Sequence, residues 1–452
     1  MFRKKSVSGG GFGFKGGVFV FLLLAVCGAG IWAYLFFFES RLPSVELSPE
    51  QAAVNSKIQF TLTARDEGRG LRDVLVLVRK GDKEFEVLSE TFAEPLESWS
   101  GNFTVSAKGL TDGEIELEVA VRDRSLAHWG DGNRAMIRRS LVLDNKPPSV
   151  AVLTHQHYVN QGGCGLVIFK PGEAVVRAGV EIGKWFFPGY TDQDGDVFCY
   201  FAFPYDADPK VDQPRILLED QAGNVQKSGF SCHVRAKKFP RDQINIDDSF
   251  LTAVMPQFRH LFPETENELE LFLKVNRELR PQNRAMLVAM GQNTSSTPLW
   301  SGAFVRQPRA ATRATFGDHR TYFYNKDRID EQTHLGVDLA STLRAEVPAS
   351  NDGRVIFADF LGIWGNVVII DHGLGLQTLY AHLSQMDVAP GQDVAKGQTI
   401  GRTGTSGLAG GDHLHFGVVL SGLPVNPVEW WDPLWLRDNI ELKLEQAGKV
   451  QG

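Results

Sequence analysis

Histidines gather in one stretch of this chain. Six of the eleven lie between His319 and His415. The segment HLHFGVVL places His413 and His415 two residues apart. Leu414, Phe416, Val418 and Leu420 alternate with them, so the segment reads as a strand with those apolar side chains on one face. The two imidazoles then share the other face, about 7 Å apart along the strand. That is too far for a mutual hydrogen bond and suits convergence on one ion or substrate. Taken alone, an HxH pair is weak evidence, since strand histidines are more often half-exposed fillers. His155 and His157 in THQHYV have the same spacing, lack comparable neighbours, and read as a surface pair without a role.

HLGVDLA adds His334 and Asp338, four residues apart around Gly336. Histidine and aspartate are competent zinc ligands, and two histidines with one aspartate leave a fourth position open for chemistry. A structural zinc site usually closes with four protein ligands, often cysteines, and no cysteine lies in this region. LQTLYAHLS places His382 after Tyr380 in a further strand, where it could act as general acid or base beside an activated water. His372 in IIDHGLG sits among turn residues and reads as structural. Arg320 in FGDHR, with the polar run YNKDRIDEQT, reads as a groove edge in contact with substrate. Trp364 and Tyr380 read as subsite residues or as packing. Trp430, Trp431 and Trp435 read as a seal on the β-core.

HLGVDLA, GNVVIIDHGLGLQTLYAHLS, VAPGQDVAKGQTIGRTGTSG and HLHF, in this order and spacing, resemble the lysostaphin/LytM-type zinc metalloendopeptidases that cut peptidoglycan peptides. The resemblance covers roughly residues 304–432. It implies an antiparallel β catalytic domain of the duplicated hybrid motif type. It also implies one zinc ion per chain held by His334, Asp338 and His415, with His382 and His413 as the catalytic histidines. The implied reaction is hydrolysis of cross-links between peptidoglycan stem peptides by a zinc-activated water. Some relatives have lost these residues and only activate other murein hydrolases. A non-catalytic regulator of a cell-wall amidase is therefore the alternative, and the intact set of five residues argues against it. VAPGQDVAKGQTIG also looks like a biotinyl or lipoyl hairpin, but Lys396 lacks the flanking methionine or acidic context of a modified lysine.

Other elements must carry these residues to their substrate. Val18 to Phe38 contains no charge and is long enough to span a bilayer core of about 30 Å. Arg3, Lys4, Lys5 and Lys15 precede it, which predicts a cytoplasmic tail over 1–17, a single-pass anchor in the cytoplasmic membrane over 18–38, and export of the remainder. Trp32 to Phe38 is too bulky for a signal-peptide cleavage site. Residues 44–146 and 147–238 carry short alternating strands between polar turns, and look like two immunoglobulin-like β-sandwich modules. These read as spacers with sites for envelope protein partners. Residues 239–300 are helical in pattern, with Asp247, Asp248 and Ser249 as N-cap candidates. The catalytic domain then runs over 301–436 and a tail over 437–452. The fold class is mainly β with one helical segment. Cys164, Cys199 and Cys232 allow at most one disulfide. A net charge of -7 excludes broad nucleic-acid binding.

Overall fold

The computed structural model describes residues 14–449, so most of the expected cytoplasmic tail and the last three residues lie outside the described part. Two compact units are present: Met1–Lys146 with Gln221–Asn224, and Pro147–Asp220 with Val225–Gly452. The first unit opens with the helix Phe14–Phe37. Its stretch Gly17–Tyr34 is long and apolar enough to cross a membrane, and none of it is buried. The rest of the first unit is β. Ser44–Ser48, Gln59–Arg65 and Ser98–Thr104 form one antiparallel sheet, and a five-stranded sheet is centred on Leu71–Lys80 and Gly113–Asp123. Alternation in Gln59–Arg65 sends Phe60, Leu62 and Ala64 inward, where they meet Val76, Val78 and Leu117.

In the second unit, residues 147–238 contribute two four-stranded sheets, one around Cys164–Pro171 and Val197–Ala202, the other around Val175–Ile182 and Arg215–Asp220. These strands are not a freestanding spacer. Phe169, Phe201 and Val180 belong to the same buried cluster as Tyr380, Phe416 and Trp430 of the histidine-bearing region. Trp430 is the hub of that core. It is fully buried, and its ring lies 6.1 Å from Tyr200, 5.6 Å from Trp300 and 5.5 Å from Phe304. Beside it, the Glu429 carboxylate accepts hydrogen bonds from the Cys164 amide at 2.9 Å and Asn160 Nδ2 at 2.8 Å. Burial pushes the Glu429 pKa up to about 6.

Three short consecutive helical turns run from Pro433 to Gln446, the last two within the expected C-terminal tail. Leu436, Ile440 and Leu444 recur every four residues and enter the shared core. His157, expected at the surface, is buried, with both ring nitrogens engaged by Thr154 Oγ1 and the Ser231 carbonyl at 2.9 Å. All four cysteines are free. Cys164 and Cys199 are sealed in the core, and Cys232 is partly covered.

The helical segment begins at Asp248–Val254, where Asp247 is the N-cap and its Oδ1 accepts from the Phe250 amide at 2.8 Å. Asn267 caps Glu268–Lys274 in the same way, and the helix continues through Arg280–Met290 to Gly291. Leu251, Val254, Met255 and Phe258 recur at helical spacing and bury against Leu271, Phe272 and Val275. Ahead of the helices, Arg241–Ile246 pairs in parallel with His319–Tyr324. The segment is thereby joined to the histidine-bearing region by backbone hydrogen bonds as well as by packing.

The histidines ride on a larger sheet. Its strand order is Ala311–Ala314, Val337–Ala340, Leu414–Leu420, Leu376–Leu383, Asn366–Asp371, Gly353–Phe360 and Asp393–Val394. Because residues 147–238 share this domain's core, residues 147–449 should unfold in one transition. Trp430→Ala should lower its stability by about 3–5 kcal/mol, the usual cost of emptying a large aromatic site. Denaturant unfolding of the full chain in detergent, followed by circular dichroism, checks both. Unfolding of 147–238 ahead of the remainder would contradict the shared core.

Candidate metal centre

Strand register brings the first two motifs together. Asp338 on Val337–Ala340 lies directly opposite His415 on Leu414–Leu420. His334 lies three residues before the same strand and folds back over it. Three donor atoms converge. His334 Nε2 lies 3.0 Å from Asp338 Oδ1 and 3.0 Å from His415 Nδ1, and His415 Nδ1 lies 2.9 Å from Asp338 Oδ1. Zinc bonds of about 2.0–2.1 Å to nitrogen and oxygen in a tetrahedron imply donors about 3.3 Å apart. The triangle needs only a few tenths of an ångström of spreading to take such an ion, and its two nitrogens and one oxygen are the donor types zinc prefers.

Second contacts fix these donors. His334 Nδ1 donates to the Thr315 carbonyl at 2.9 Å, which leaves the lone pair on Nε2. Arg320 Nη2 donates to Asp338 Oδ2 at 3.1 Å, leaving Oδ1 for the triangle. Burial pushes the Asp338 pKa upward, but His334 and the hydrogen bonds of the three surrounding histidines outweigh it and hold the carboxyl well below its usual range. Burial lowers His415 to about 4 and so keeps it neutral at physiological pH. Gly336, in the middle of HLGVD, is there for space. A Cβ at this position would meet His415 Cε1 and Nε2 at 2.5 Å and the Phe416 carbonyl at 2.8 Å.

His382 reaches the site against the strand rule. Ala381 opposes His415 and Tyr380 opposes Phe416, so strict alternation would send His382 to the core side with Tyr380. Two features turn it. The pairing with Asn366–Asp371 slips between Asn366 and Val368, and His382 adopts a left-handed backbone with φ +63°. Its ring then lies 4.9 Å from His413 and 5.7 Å from His415. His382 Nδ1 donates to the Ser406 carbonyl at 2.8 Å, and His413 Nδ1 to the Gly411 carbonyl at 2.7 Å. Each therefore presents Nε2 to the site, and His413 Nε2 lies 3.6 Å from Asp338 Oδ1. Burial and the neighbouring charges of His413 and His415 hold His382 well below its usual pKa. For His413 burial acts downward too, but Asp338 outweighs it and the pKa is raised.

All five imidazole and carboxylate side chains line one cleft of about 290 Å³. Arg320 lines it as well. Trp364 shows only an edge there, at 8% exposure, and is otherwise core. Tyr380 is not at a subsite: it is fully buried, with its hydroxyl engaged by the Ser350 amide and Thr378 Oγ1. His372 is also buried, held by the Asp352 carbonyl and Thr378. The opposite wall of the cleft comes from residues that periodicity did not mark as functional. Ile244 and Ile246 of the strand Arg241–Ile246, and Phe250, Phe272 and Arg280 of the helices after it, line the cleft with the histidines, together with Tyr322. A second acidic group, Asp192, Asp194 and Asp196, is bridged by Lys449, whose Nζ lies 2.7, 2.6 and 3.0 Å from the three carboxylates.

Residues 332–427 match Peptidase family M23. This stretch belongs to that family. A DD-carboxypeptidase/endopeptidase, Mpg, of Neisseria meningitidis serogroup B is 44% identical over 95 residues, 21% of this chain and 22% of that protein. The peptidoglycan DD-endopeptidase ShyA of Vibrio cholerae is 40% identical over 96 residues, again 21% and 22%. The murein hydrolase activator EnvC of Escherichia coli is 39% identical over 107 residues, 24% of this chain and 26% of that protein. The chain spans about a quarter or less of the length of these curated relatives.

The crowding at Gly336 gives a test of the site that substitutes none of the donor residues. Gly336→Ala should push the His415 ring out of the triangle and lower the affinity for added Zn²⁺ at least about tenfold, since one of three ligands is displaced. Competition with a chromogenic chelator measures this, with circular dichroism checking that the fold is kept. Unchanged affinity in a folded variant would contradict the geometry.

Proposed function

We propose that this chain is a zinc-dependent endopeptidase, anchored in the cytoplasmic membrane, that hydrolyses peptide cross-links of peptidoglycan. The observation that carries the reading is the three-way convergence of His334 Nε2, Asp338 Oδ1 and His415 Nδ1 within 3.0 Å, with two further imidazoles on the same cleft. When bound, zinc supplies a Lewis acid that polarises a peptide carbonyl and makes water a nucleophile near neutral pH. His334, Asp338 and His415 would hold it. His382 and His413 have each committed Nδ1–H to a backbone carbonyl, so Nε2 is the atom of each that takes or gives a proton. One relieves the attacking water of its proton, and the other supplies a proton to the leaving amine or a hydrogen bond to the oxyanion. Arg320 keeps Asp338 oriented through its bond to Oδ2.

The rest of the chain serves position. The apolar helix Phe14–Phe37 is the anchor, and the first β unit is an immunoglobulin-like module that stands between membrane and wall and offers a surface to envelope proteins. Membrane fractionation should recover the full chain in the membrane pellet, resistant to carbonate wash. Recovery in the soluble fraction would remove the anchor.

Purified sacculi digested by the full chain in detergent should release uncross-linked muropeptides, identified by mass. A chelator should stop the release and added Zn²⁺ restore it. His334→Ala, Asp338→Ala and His415→Ala should each lose stoichiometric zinc. His382→Ala and His413→Ala should keep it and lose about 10²- to 10⁴-fold in rate. Full zinc occupancy without any release of fragments would turn the reading toward the regulator of another hydrolase.

A further inference from the structure

The cleft carries more positive charge than a metal site needs. Two guanidinium groups line it, Arg280 and Arg320, against one carboxylate, Asp338. Neither is fully spent within the chain. Arg320 gives Nη2 to Asp338 Oδ2, but its Nε is buried and meets no acceptor. Arg280 stands at the start of the helix Arg280–Met290, and its Nε and Nη2 both donate to the single Oδ1 of Asn276, at 3.2 and 2.8 Å. Among the described residues no carboxylate lies within ion-pair distance of Arg280. Burial, together with the charges of Arg284 and Arg320, lowers its pKa to about 10, against the pull of Tyr322 and Asp330. A half-buried cation with unspent donors, next to a second one, is costly unless an anion completes it.

The surroundings say what kind of anion fits. The wall beside the two arginines is apolar and aromatic, with Phe250, Phe272, Ile246 and Tyr322. A volume of about 290 Å³ is at the small end of ligand pockets and suits a few residues of peptide. Planar guanidinium forks match carboxylates, giving charge-assisted paired hydrogen bonds where an ammonium would give a point charge.

We propose that Arg280 and Arg320 form a carboxylate subsite on the helical-segment side of the cleft, so that the favoured substrate is a peptide carrying a free carboxylate, terminal or side-chain, close to the scissile bond. This rests on the peptidase reading. It makes the helical segment part of substrate recognition, and it makes Arg280 a specificity residue separate from the metal centre.

The test uses the full chain in detergent, loaded with Zn²⁺, and three forms of one cross-linked stem peptide: all carboxylates free, the terminal carboxylate amidated, or the side-chain carboxylate amidated. A hydrogen bond to a charged group contributes about 1.5–3 kcal/mol, so amidating the recognised carboxylate should lower kcat/KM about 10- to 100-fold, mainly through KM. Which amide is the poor substrate identifies the source of the anion. Arg280→Gln should bring the ratio between that amide and the free acid to about one while zinc content stays at one equivalent, and Arg280→Lys should retain part of the preference. Equal cleavage of all three peptides by the parent protein would overturn the subsite, as would an undiminished preference in Arg280→Gln. If the zinc-loaded protein cleaves none of them, the peptidase reading fails. Calorimetric binding of the same three peptides then decides the subsite by the same ratio.

Discussion

Everything around the cleft is arranged to hold three electron-rich atoms about 3 Å apart. Lone pairs at that distance repel unless a proton or a cation lies between them, so the arrangement must be enforced from outside. Cross-strand pairing of Asp338 with His415 sets two of the three atoms. A backbone carbonyl at Thr315 and the guanidinium of Arg320 orient the donors through their second atoms. The space that lets His415 approach exists because residue 336 has no side chain. The loop TGTSG, docked by Gly407 against Gly365, carries the Ser406 carbonyl that steers His382. Each support is short-range and rigid, which is what a preorganised site requires.

Much of the centre was legible because its residue types sit on regular strands. Period two placed His415 on the face away from Leu414 and Phe416, and the strand pairing agrees. The same rule fails at His382, where a slipped register and a left-handed backbone reverse the side chain, and no local pattern announces that reversal. Tyr380 could be read as a subsite residue because an aromatic beside a histidine has two uses. Its burial and the satisfied hydroxyl select packing. Likewise, the turns of the C-terminal stretch are short, and their apolar residues fall on a four-residue spacing easily passed over at a chain end.

The wall built by Ile246, Phe250, Phe272 and Arg280 was beyond reach for a different reason. Its helices were readable from their caps and apolar period, but their destination was not. The parallel pairing of Arg241–Ile246 with His319–Tyr324 joins segments more than seventy residues apart, and nothing in either run names the other. The same holds for residues 147–238, whose strand pattern was plain while their merger with the histidine-bearing core through Trp430 and Glu429 was not. Local rules describe elements; their partners are chosen by surfaces formed only once the chain has collapsed.

The left-handed backbone at His382 has a further consequence. A non-glycine residue in that conformation costs on the order of 1–3 kcal/mol, and the rest of the strand supplies it. Selection for folding alone would favour glycine or asparagine at this point. A lineage that no longer needs the imidazole can therefore lose it and become sturdier in the same step. At this one position the backbone's preference and the placement of an imidazole on the cleft pull in opposite directions.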